Sequence, residues 1–305
     1  MNILTVTDID ARLRAGPPGF KWDGRSRIPL FTRVQLTKEN GKHVQVSGLQ
    51  GKKLGWTTRS NLTRFFKDSF ALQHAQMLPA QAVPGSSGIG RTYNRLGGLM
   101  SALAKETKIK VPACLAVWMV ESAGRKHQKD NAIIRFENHL LFRNWGDEHA
   151  NIYNKHFQHG GHNRVRGRVW KNHKAREKPS RPFLVFHGTQ SEEYRVLEIA
   201  KRLAGDATAL QCISIGGPQI LVSNHKKIGY RTPVAMYNAF QANERNHVLG
   251  FFDFCQKRTS TSSLLEFLRK QNWTSFAAGY NGSGQAEKYG GLIKDNFEKA
   301  QQLLS

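Results

Sequence analysis

No stretch of this 305-residue chain has the apolar length to cross a bilayer, and the longest apolar run, Ala113 to Val120, falls far short. The first ten residues, Met1 to Asp10, offer neither a basic start nor an apolar core, so synthesis in the cytoplasm without a leader is expected. Any target beyond the inner membrane then has to be reached by release or injection. Cysteine is scarce: Cys114, Cys212 and Cys255 each stand among apolar neighbours, which argues for buried thiols and against a disulfide framework. They lack metal-ligand spacing, and no cofactor is implied. Acidic residues are few, 22 against 46 Lys and Arg, leaving a formal charge of +24. That excess points to a polyanionic partner: nucleic acid, an anionic membrane surface or an acidic wall. No internal repeat occurs, and 39% hydrophobic residues suffice for a core in about two domains.

From Ala11 to Leu62, short β-type segments at Thr32 to Leu36, His43 to Ser47 and Leu54 to Thr57 alternate with Gly and Pro, and Asn40-Gly41 signals a hairpin. A small β-barrel within residues 1–70 is expected. Pro79, Pro84, Gly85, Ser86, Ser87, Gly88 and Gly90 mark a linker, assigned to 71–92. The remainder, 93–305, reads as mainly helical, giving an α+β chain dominated by α. Leu96, Leu99, Met100 and Leu103 mark one helix and Pro112 opens the next; Thr189-Gln190-Ser191-Glu192 reads as a capping box. Further helices are expected at Val234 to Phe240, Glu244 to Arg258, Leu264 to Lys270, Trp273 to Gly279 and Gln285 to Leu304. Asn154 to Arg181 is basic and interrupted by glycine, a surface insertion in which His156, His159, His162 and His173 read as solvated residues, with no acidic ligand interleaved to make a metal site.

Four pieces of 93–305 fit one kind of site. Glu121 ends the nearly all-apolar run from Ala113, where apolar neighbours and the negative helix end both favour the protonated acid. The bland alternative is a solvated Glu at a helix terminus. Ala132 to Phe136 is a short strand, so a small hairpin is expected after Glu121, with Arg135 and Glu137 on one face. Glu137 is then a second carboxylate bordering the same cleft, or an ordinary Arg-Glu surface pair. Ser214 to Ile220 carries Gly216-Gly217-Pro218 before Gln219, whose amide at a helix start offers a donor and an acceptor to sugar hydroxyls and N-acetyl groups. Phe276 to Gly282 lets small residues pack closely, leaving Tyr280 and Asn281 to line a groove.

At these positions the sequence resembles the N-acetylmuramidase family of phage endolysins, a lysozyme-like group of peptidoglycan hydrolases. The resemblance runs through Val120-Glu121-Ser122, Ile134 to His139, Phe186 to Gln190, Ser214 to Ile220, Asn224, Ile228-Gly229-Tyr230 and Tyr280 to Gln285, in consistent order from Leu96 to Leu304. It implies a lysozyme-like helical catalytic domain with a small β-hairpin, and a catalytic acid at Glu121 that cleaves between N-acetylmuramic acid and N-acetylglucosamine. Ser122, Gln219, Asn224, Tyr280 and Asn281 are the implied substrate contacts. Two departures stand out: Ser122-Ala123-Gly124 where Ser-Gly-Gly is commoner, and Ile220 to Asn224 where Ile-Met-Gly-Phe-Asn is usual, the latter bearing on one saccharide subsite. Residues 12–18 and 55–62 resemble the opening and closing motifs of bacterial Src-homology-3-like domains, which commonly bind wall peptide or saccharide.

The expected partner is bacterial peptidoglycan, whose anionic character suits the basic charge, and the expected working state is a monomer. Action in the periplasm would follow holin release, secretion or injection. A lytic transglycosylase leaving anhydromuramic ends is the near alternative. A basic nucleic-acid-binding protein is the rival from another class, though no helix-turn-helix, zinc-finger or aromatic RNA-binding motif is present.

Overall fold

The structure is a computed structural model that describes residues 3–7, 11–17, 22–122, 131–160, 173–256 and 260–305, with 22–25 described as backbone alone. Contacts divide the chain into two units, Met1–Val117 with Lys227–Gly229 and Val248–Ser305, and Trp118–Lys226 with Tyr230–His247.

The first unit begins with strands β1 (Ile3–Val6), β2 (Arg12–Arg14), β3 (Trp22–Arg27), β4 (Arg33–Asn40), β5 (His43–Gly48), β6 (Lys53–Thr58) and β7 (Leu62–Thr63). They form one sheet in the order β3-β2-β6-β5-β4-β1-β7. A small β-barrel was expected; among the described residues β3 and β7 stand at opposite ends of this order, so the sheet curls without closing. It also recruits Ile3–Val6, upstream of the segment whose pattern suggested strands. The hairpin signal holds, since Gly41 takes the left-handed φ of 55° between the paired residues Asn40 and His43. One face buries Leu4, Val6, Ala11, Ile28, Val34, Val44, Val46 and Leu62. Each fully buried Val or Leu adds about 1.5–3 kcal/mol of transfer free energy. Trp56 is also buried, filling core.

Residues expected as a linker are tied down. Phe70–His74 is a short helix, and Gly88–Thr107 is a long one capped by Ser87, whose hydroxyl accepts from the Gly90 N–H. Between them the chain lies on the long helix: the Asn94 side chain pairs with both backbone groups of Val83, at 2.8 and 2.7 Å, and the Gly98 N–H donates to the Met77 carbonyl at 3.0 Å. Gly98 is there because a Cβ would strike the carbonyl oxygens of Gln76 and Leu78. Asp253 then accepts the backbone N–H groups of Phe66 at 2.6 Å and Lys67 at 3.1 Å, fastening the turn that follows β7 to the helix Glu244–Phe254. The helices Leu264–Arg269, Trp273–Asn281 and Ala286–Leu304 complete this unit.

The second unit holds two small sheets. β8 (Ile134–Phe136), β12 (Ile213–Ile215) and β13 (Ile220–Leu221) form one, and β9 (Phe157–Gln158), β10 (Lys174–Ala175) and β11 (Leu184–Val185) the other. β8 was expected in a local hairpin; its partner is instead β12, with Ser214 opposite Arg135. Its other edge is closed by side chains of the helix Gln190–Ala204. Gln190 bonds both backbone groups of Ile134, at 2.8 and 2.9 Å, and Glu193 accepts the Phe136 N–H at 2.8 Å. Two polar residues three apart on one helix face thus satisfy an edge strand that would otherwise expose its donors. The Thr189–Glu192 capping box starts that helix as its spacing predicts. All three cysteines are buried and free, and no helix among the described residues is long and apolar enough to cross a membrane.

Candidate active site

Glu121 is the penultimate residue of the helix Val111–Ser122, whose residues from Ala113 to Trp118 are buried. Pro112 sits in the first turn, where its missing N–H breaks no helical hydrogen bond. Glu121 itself is half-buried, at the point where the buried run gives way toward solvent. Ser122 beside it is fully buried, and its hydroxyl has no hydrogen-bond partner among the described residues.

Glu137 follows β8 and occupies a different setting. Its Oε1 accepts from Arg135 Nε at 3.0 Å, and its Oε2 lies 3.5 Å from His139 Nδ1 and 3.9 Å from His173 Nδ1. Strand alternation therefore did place Arg135 and Glu137 on one face. Burial pushes the Glu137 carboxyl above the usual carboxylate range, against the pull of Arg135 and His187. His173, expected as a solvated loop residue, is fully buried because its neighbour strand β10 pairs with β9 and β11. Its Nδ1 is 3.0 Å from His187 Nε2, and His187 Nδ1 donates to Glu193 Oε1 at 2.8 Å. Burial, with His187 and His139 nearby, holds the His173 imidazole down to about 3. Of the other histidines of that segment, Tyr153 Oη lies 3.2 Å from His159 Nδ1, His156 Nδ1 lies 3.2 Å from the Arg176 carbonyl, and His162 falls outside the described residues.

Gln219 was expected at a helix start and instead closes the β12–β13 turn with a left-handed φ of 52°. Its Nε2 donates to the carbonyls of Gly216 at 2.8 Å and Ile133 at 3.3 Å, while Oε1 accepts from Ser214 Oγ at 3.1 Å. Both donors are engaged within the fold, so one acceptor lone pair is what this amide has to offer a ligand. Gln219 is tied to Ile133 at one end of β8 and Glu137 stands at the other, about 13 Å of strand away at ~3.3 Å per residue. Asn224 is half-buried on the 3-10 segment Val222–Ile228. Tyr280 and Asn281 belong to the first unit, at the end of Trp273–Asn281. There the Tyr280 ring stacks on Phe276 at 5.8 Å and meets Phe251 and Phe254 edge-on at 5.5 and 5.6 Å.

Sequence reasoning missed the roles of Glu193, Gln190 and the His139-His173-His187 series. A usable signal existed for the first two: polar residues three apart at the start of an amphipathic helix, on the face that turns to the core.

A solved structure shares this fold: "Crystal structure of Burkholderia AP3 phage endolysin" aligns with a TM-score of 0.51 at 23% identity, covering 70% of this chain and 78% of that one. The Muramidase (N-acetylmuramidase) family model matches residues 110–301. The chain belongs to the N-acetylmuramidase family and is a peptidoglycan hydrolase. No curated protein matches it by sequence.

Proposed function

We propose that this hydrolase cuts the β-1,4 bond between N-acetylmuramic acid and N-acetylglucosamine, with Glu121 as the general acid. The observation that carries the reading is the position of Glu121: half-buried near the end of a helix whose residues from Ala113 to Trp118 are buried. A carboxyl group there delivers its proton to the glycosidic oxygen as an oxocarbenium-like state forms. Glu137 is the second carboxylate. A carboxyl separation of about 6.5–9.5 Å predicts inversion through an activated water, and about 5 Å predicts retention. Ser122, Gln219, Asn224, Tyr280 and Asn281 are the proposed saccharide contacts. Gln219 acts there through its remaining acceptor.

The N-terminal sheet is the proposed Src-homology-3-like wall anchor, and the net charge of +24 concentrates the protein on anionic wall at low salt. The chain works as a monomer, reaching the periplasm by holin release, secretion or injection. One observation favours a second reading: Arg135 already holds Glu137 Oε1 at 3.0 Å, and Oε2 stands 3.5 Å from His139 Nδ1. If they stay engaged, the muramic acid closes on itself and leaves an anhydro end. Mass spectrometry of digested purified peptidoglycan separates the outcomes. Reducing muramic ends support hydrolysis, anhydro ends the second reading, and peptide cuts would overturn both.

A further inference from the structure

The imidazoles of His139, His173 and His187 form a series that begins on a buried carboxylate and ends at the surface, and this order fixes their tautomers. Glu193 Oε1 accepts a hydrogen bond from His187 Nδ1–H at 2.8 Å, so in the neutral imidazole His187 Nε2 is an acceptor. His173 Nδ1, 3.0 Å away, must then carry its proton toward His187, which leaves His173 Nε2 as a bare lone pair. That lone pair faces His139 Nδ1 at 3.4 Å, and His139 Nδ1 is 3.5 Å from Glu137 Oε2. Both distances are long for a hydrogen bond and close to the ~3.4 Å edge of a tetrahedron with metal bonds of about 2.1 Å. One donor atom from each of Glu137, His139 and His173 lies within 4.8 Å of the other two.

We propose that Glu137, His139 and His173 form a binding site for one divalent transition-metal ion of the zinc type. The surrounding groups complete it as outer partners: Arg135 holds the far oxygen of Glu137 at 3.0 Å, and Glu193 acts through His187 to orient His173. Three protein ligands leave a fourth position open, and the 43% exposure of the His139 side chain gives a path of entry. Arg135 and Arg143 oppose the cation electrostatically. Nitrogen-rich coordination overcomes this for zinc, nickel or copper, whereas magnesium and calcium need more oxygens than the site provides. Occupation makes Glu137 a ligand and withdraws it from catalysis. This last consequence rests on the role given to Glu137 above; the binding itself does not.

The test uses the full chain without a histidine tag, stripped with chelator, then titrated with zinc chloride by calorimetry with metal content measured by plasma mass spectrometry. Wild type and Glu121→Gln should each take up one equivalent of zinc and no magnesium. His139→Ala, at a half-exposed position, should lose that equivalent while circular dichroism stays unchanged. Glu193→Gln should weaken binding by about 10–100-fold. No uptake by wild type, or undiminished uptake by His139→Ala, overturns the site. Wall lysis should fall as wild type fills and return with chelator. Full occupancy with undiminished lysis would leave the metal site standing and overturn Glu137 as a catalytic carboxylate.

Discussion

Glu121 and Glu137 are both half-buried carboxyl groups of the second unit, yet their surroundings differ in kind. Glu121 ends a helix of buried apolar residues, where the helix terminus disfavours negative charge. Glu137 ends a strand beside an arginine and two imidazoles, which orient an anion and can share it with a cation. One setting suits a group that gives up a proton, the other a group that holds a fixed position. Asp253 of the first unit supplies the contrast. It is buried with both oxygens spent on backbone N–H groups, and its role is structural.

Single substitutions test that contrast. Glu121→Asp keeps the acid but withdraws it by one methylene; turbidity assays on purified walls should show about 10²-fold loss. Equal loss in Glu137→Asp would erase the distinction. Glu137→Gln removes the second carboxylate, and its lysis rate should fall by about 10²-fold or less. A larger fall than Glu121→Gln gives would reverse the two roles. Asp253→Asn should leave lysis per folded molecule intact. Its amide turns a donor toward a backbone N–H, costing about 1–3 kcal/mol in urea titrations.

Burial raises the Asp253 carboxyl from 3.8 to about 8, ahead of the opposing pull of the two backbone donors and Lys67. Its folded value lies above the unfolded one, so its contribution to stability is full below 3.8 and is lost as pH rises through about 8. Unfolding free energy measured between about pH 4 and about pH 9 should therefore decline in wild type, and the slope should flatten in Asp253→Asn. Gln219→Ala is the smallest change. Losing its turn-closing bonds should lower stability by about 1–2 kcal/mol, with a KM increase only if the remaining acceptor meets saccharide.

What the sequence made legible was local. The capping box at Thr189, the hairpin at Gly41 and the buried helix before Glu121 each depend on residues a few positions apart, and each formed as its pattern predicts. The partners of β8 were not legible, because Ile213–Ile215 and the side chains of Gln190 and Glu193 come from distant chain segments. His173 was misjudged for the same reason. Its neighbours in sequence are basic and polar, whereas its neighbours in space are His139, His187 and Phe186. Gln219 was expected in the wrong local geometry, since Gly216-Gly217-Pro218 suits a hairpin turn as well as a helix start.

The most direct measurement is the initial rate of muropeptide release from purified peptidoglycan by Glu121→Gln and wild type, at equal folded concentration. The amide keeps the shape of the side chain and lacks the proton. Loss of that proton should slow release by about 10²–10⁴-fold with unchanged wall binding. A rate near wild type would contradict it.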